Sequence, residues 1–192
     1  MHLNLTDPRL IAGLVVVALI IVVGVALFVR SRRKTTAGLR NRFGSEYDRA
    51  VLEHGSEHKA EAKLADRETR VENLKIRELG ATERERLIAE WHSVQSRFVD
   101  HPKSAVTEAD ELVSSLIEAR GYPVADFDQR AADLSVNHPR LMEYYRSAHG
   151  VVVRPGRDEA STEDLRAAMI QYRTIFDELV QVQSPGEIKS VA

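Results

Sequence analysis

Three side chains in "LEHGSEHKAE", residues 52–61, have the types and spacing of a zinc site. His54, Glu57 and His58 spell H-x-x-E-H, a zinc-peptidase pattern in which two imidazoles bind the metal and a carboxylate activates water. On a continuous helix, His54 and His58 share one face, as ligands four residues apart require. A catalytic centre also needs a third protein ligand, a dry cavity and partners that orient the imidazoles. Around these histidines stand Glu53, Gly55, Lys59, Glu61 and Lys63, which offer nothing to bury. Ser56 and Lys59 add the S-x-x-K spelling of β-lactamases, again without its companion motifs. The expectation is a solvated charged helix, not a metal centre.

The remaining histidines read as structural. His101 and His138 precede prolines at helix starts, and His92 and His149 sit beside apolar stripes. No phosphate loop, EF-hand or dinucleotide fingerprint occurs. The absence of cysteine removes disulfides, thiolate metal sites and cysteine nucleophiles. No catalytic, cofactor-binding or metal-binding residue is therefore assigned, and a non-enzymatic protein without cofactor is expected.

The elements carrying these residues begin with an apolar run. Residues 10–29, "LIAGLVVVALIIVVGVALFV", contain no charge. As a helix they would span about 30 Å, the thickness of a bilayer's hydrocarbon core. The run continues into "LFVRSRRK" without a signal-peptide cleavage site, so a retained transmembrane helix is expected, preceded by a short extracytoplasmic segment 1–9. Arg30, Arg32, Arg33, Lys34, Arg40 and Arg42 follow, before any acid. This basic segment, 30–45, predicts N-terminus-out orientation in a bacterial inner membrane, with the rest of the chain cytoplasmic. Arg30, Arg32, Arg33 and Lys34 would face anionic headgroups.

From residue 46 onward 20 Lys plus Arg oppose 28 Asp plus Glu, a net charge of -8. Such a body is poorly suited to nucleic acid, whose phosphates require cations. Residues 46–81 read as a charged stalk helix held by ion pairs, with a reach of ~50 Å. Leu64 is the one large aliphatic residue between His54 and Arg70.

Beyond Gly80 amphipathic stripes recur. Thr82 and Glu85 read as a capping box before Leu87, Ile88, Trp91, Val94, Phe98 and Val99. The next helix carries Val106, Ala109, Leu112, Val113, Leu116 and Ile117, and Gly121 suits a left-handed cap. Asp126 with Gln129 starts a short helix; Asn137 reads as the next cap, with Pro139 in the first turn. Tyr144, Tyr145, Ala148 and Val152 mark the following helix. The last is capped by Ser161 or Thr162 and buries Leu165 through Val180. The prediction is an all-α chain: transmembrane helix, stalk, a four- to five-helix bundle over 82–181, and a tail over 182–192. Trp91, Tyr122, Phe127, Tyr144, Tyr145 and Tyr172 are assigned to its core.

The strings "RFGSEYDRAV", "WHSVQSRFVDHPKSAVTEADELV" and "RGYPVADFDQRAADLSVNHP" resemble an uncharacterised family of bacterial single-pass membrane proteins, sometimes called secreted, with no established activity. The resemblance covers residues 42 to about 180. It implies a bacterial membrane context and supplies no catalytic residue.

Three functional classes follow. The first is a membrane-tethered helical interaction or scaffold protein whose protein partner is unknown. The second is an enzyme or small-ligand binder with Tyr144, Tyr145, His149 or His92 lining a pocket between helices. The third is a structural or stress-related protein that self-associates through its stalk. A filled core favours the first, and a deep pocket with inward polar groups favours the second.

Overall fold

The computed structural model describes residues 19, 21–24, 36–154 and 160–181. All its regular structure is helical, with no strand among the described residues. The chain divides into two compact units, Met1–Arg42 and Phe43–Ala192. In the first, residues 19, 21–24 and 36–42 are helical. The expected transmembrane helix 10–29, its flank 1–9, the basic residues 30–35 and the tail 182–192 lie almost wholly outside the described residues. No described helix is long and apolar enough to cross a membrane.

The second unit opens with a helical hairpin where a straight stalk was expected. Helix α1, Ser45–His54, ends at Gly55, whose φ of 72° is left-handed and whose N–H bonds to the Val51 carbonyl. Such a cap stops a helix, and glycine reaches this conformation without the steric cost of a Cβ. Ser56 then caps helix α2, Glu57–Glu72, its hydroxyl oxygen accepting from the Lys59 N–H at 3.3 Å. The arms fold back on each other, and the Tyr47 hydroxyl donates to Glu61 Oε1 at 3.2 Å. Tyr47, Ala60 and Leu64 are fully buried.

Propensity and surface charge pairs suggested one solvated rod. Burial of this sparse apolar stripe selects two packed helices instead. Ion pairs on both arms join the hairpin to the rest of the unit. Glu46 accepts two bonds from Arg146, each at 3.0 Å, and Arg70 donates to Asp133, with its Nε at 2.7 Å.

After Asn73 the chain leaves helix until Ala81 and is pinned along the way. The Arg77 N–H bonds to the Arg120 carbonyl at 2.9 Å, and Leu79 enters the core. Five helices follow: α3, Ala81–Arg97; α4, Pro102–Ala119; α5, Phe127–Asn137; α6, Met142–Val152, entered through a 3-10 turn at Pro139–Leu141; and α7, Thr162–Gln181. The expected bundle is therefore present. Helix α7 packs on α4 and α6, and α3 packs on α4. Trp91 stacks on Phe176 with ring centroids 4.8 Å apart, and Arg84 Nε donates to the Val180 carbonyl, tying the start of α3 to the end of α7.

The caps divide into those formed and those replaced. Asp126 accepts from the Gln129 N–H at 2.8 Å, and Ser161 accepts from the Asp164 N–H while Asp164 reciprocates. Thr82 and Glu85 form no capping box, because α3 begins at Ala81 with Gly80 as its cap. Asn137 ends α5 instead of starting the next element, and its amide donates to the Tyr122 hydroxyl at 3.0 Å. Val99 is 83% exposed and Tyr144 45% exposed, so neither belongs to the core expected from their stripes. Val99 falls in the turn after α3, where helical periodicity no longer applies.

Candidate functional site

Four-residue spacing sets Asp110, Ser114 and Glu118 along one stripe of α4, and Tyr145 and His149 along one stripe of α6. Packing brings Asp110 to His149 and to Tyr172 of α7. Asp110 Oδ1 accepts from the Tyr172 hydroxyl at 2.8 Å and lies 3.2 Å from His149 Nδ1. Phe127 of α5 closes the group, its ring parallel to the His149 imidazole with centroids 3.7 Å apart and tilted against Tyr145 at 4.9 Å. The Ser114 hydroxyl is directed to the Asp110 carbonyl at 2.8 Å.

Burial raises the two tyrosines of this group. Tyr145 is completely buried, which pushes its hydroxyl up to about 12 and keeps it neutral. Tyr172 is also raised, first by burial and then by the Asp110 charge. Asp110 facing Nδ1 favours the tautomer with its proton there, leaving the Nε2 lone pair as an acceptor. Chemically, this is an oriented proton acceptor at the edge of a bundle core. Ser114, the serine nearest in the cluster, spends its hydroxyl on the backbone and is not aligned as a nucleophile.

Of the four pocket residues expected from sequence, the structure unites Tyr145 and His149 and separates the others. Tyr144 points to the surface and His92 is exposed on α3. Asp110 and Tyr172 complete the group. The four-residue spacing of Asp110 and Ser114 was visible, but only the packing of α4 against α6 and α7 gives it meaning.

The H-x-x-E-H spelling is divided by the fold. His54 closes α1 and His58 opens the first turn of α2, with left-handed Gly55 between them, so they do not share a helical face. Among the described residues no group of three or more His, Asp or Glu side chains could hold a metal ion. The S-x-x-K spacing is the helix cap itself, since Ser56 receives the Lys59 backbone N–H.

A second polar region surrounds the C-terminus of α4. Arg120 is buried at 2% exposure, and desolvation lowers its pKa. Burial also lowers the pKa of His138, against the opposing Glu178 carboxylate 4.0 Å away. Tyr122, raised by burial, accepts from Asn137. These groups fasten helix ends together.

No family model, curated protein or solved structure matches the chain.

Proposed function

We propose that the protein is a membrane-tethered, non-enzymatic helical interaction or scaffold module of a bacterial inner membrane. Residues 10–29 span the bilayer with the N-terminus outside, and Arg30, Arg32, Arg33 and Lys34 meet anionic headgroups on the cytoplasmic side. One observation carries this reading. Helical Leu19, Ile21, Val22 and Val23 are 46–66% exposed, apolar surface that water does not favour and lipid accepts. The continuous apolar core, with Trp91 stacked against Phe176, supports a body that works through its surface.

A reporter active only in the cytoplasm, fused after Ala192, is expected to be active, and a periplasm-only reporter there to be silent. Membranes washed at alkaline pH should retain the protein. Activity of the periplasmic reporter alone would reverse the orientation, and release by the wash would remove the anchor.

A second reading rests on the Asp110–His149 pair: a small-ligand or proton-transfer site at the α4–α6–α7 junction. It predicts that Asp110→Asn alters a cellular phenotype while leaving thermal unfolding within a few degrees of wild type.

A further inference from the structure

We propose that the α1–α2 hairpin, residues 45–72, is a latch that opens as a unit from a bundle that stays folded, uncovering the α5 face formed by Ala132, Asp133 and Val136. The continuous apolar core runs from Leu79 to Val180 and takes no residue from the hairpin. Tyr47, Ala60, Leu64 and Val71 are buried outside that core. Ala132 and Val136 are likewise buried outside it, on the helix against which α2 packs. The hairpin therefore covers them without being continuous with the main core.

The fasteners are polar and placed on both arms. Arg70 of α2 binds Asp133, which is 1% exposed and also accepts from Gln129 at 3.0 Å. Glu46 of α1 binds Arg146 through two bonds. A buried carboxylate repays its lost hydration only while its partner is in place, so a half-made latch is unfavourable and opening is concerted.

The joint is equally defined. The connector after α2 belongs to the bundle: Leu79 is in the core, Arg77 bonds to Arg120, and a Cβ on Gly121 would stand 2.3 Å from the Lys75 carbonyl oxygen. Such close backbone packing leaves the hinge at Asn73, where α2 ends. Opening there breaks the Glu46–Arg146 and Arg70–Asp133 pairs and an apolar seam while α3 to α7 keep their contacts.

Hydrogen exchange on the full chain in detergent micelles tests this. In wild type, amides of α1 and α2 should exchange at least about 100-fold faster than those of α4 and α7, the signature of a sub-global opening. The Glu46→Gln/Asp133→Asn variant should speed hairpin exchange about tenfold more and leave α4 and α7 unchanged. Because the chain has no cysteine, an Ala132→Cys variant gives a unique thiol. It should react with a thiol reagent at the hairpin opening rate, far faster than the thiol of an Ala109→Cys variant inside the core. Equal protection of hairpin and bundle in wild type, or equal labelling of the two thiols, overturns the proposal.

Discussion

Arg70 Nε stands 2.7 Å from Asp133 Oδ1, although 63 positions of chain separate the two residues. The pair is lopsided: the carboxylate is 1% exposed and the guanidinium side chain 41% exposed. Removing either partner is therefore not equivalent. Arg70→Gln strands a charge in the interior and should cost about 3 kcal/mol. Asp133→Asn leaves an arginine that water can solvate, at a cost of about 1 kcal/mol. Urea unfolding followed by helicity compares them, and a larger loss for Asp133→Asn would contradict this reading.

Two glycines with positive φ should respond differently to alanine. At Gly55, φ is 72° and a Cβ meets nothing within 4 Å, so only backbone strain is added, about 1 kcal/mol. At Gly121, φ is 97° and the new Cβ collides with the Lys75 carbonyl oxygen, a backbone atom that cannot rotate away. Gly121→Ala should cost about 3 kcal/mol or more. Thermal melts of the two variants should separate clearly, with Gly121→Ala lower.

Alkaline pH should weaken the fold through its buried tyrosines. Tyr145 ionises near 10.0 when unfolded but is held neutral to about 12 when folded, and burial raises Tyr122 and Tyr172 as well. The unfolded chain thus releases protons that the folded chain keeps. This contribution is intact below pH 10 and is lost as pH rises toward 12. The slope is up to about 1.4 kcal/mol per pH unit for each such group. Urea midpoints at pH 9, 10 and 11, taken as an approximate series, should fall, and Tyr145→Phe should fall less steeply.

The double variant His54→Ala/His58→Ala should match wild type in melting temperature, and neither protein should carry stoichiometric zinc after purification. Metal analysis decides it. Zinc present in wild type and lost in the variant would mean that the two histidines act together despite the helix break between them.

How far the sequence foretold the structure varies with how local the cause is. Every residue of the α7 stripe expected to be buried is buried, from Leu165 to Val180, because its repeat follows one helix period. The same holds for Val106 to Ile117 on α4. The charged segment before Gly80 was misread, although Gly55 and Ser56 form a stop and a start in succession. Its polar residues suggested solvation, yet Glu46 is buried by Arg146, a partner 100 positions away. The candidate site had the same difficulty. Tyr145 and His149 stood out as a pair, but Asp110 and Tyr172 acquire their roles only where three helices meet.

The left-handed turn at Gly55 also governs slack. A rod over residues 46–81 would have held its load ~50 Å away. Folded back, α1 and α2 return the chain toward its point of entry, so the hairpin contributes contour without contributing reach. A pull entering at Phe43 bears on α1 and the Glu46–Arg146 bonds, and because a half-made latch is unfavourable the Arg70–Asp133 bond nearer the joint gives way with them. Released with both helices intact and aligned, the 28 residues 45–72 would pay out about 40 Å of line. The hairpin is thus a spare loop of cable, stowed against the bundle.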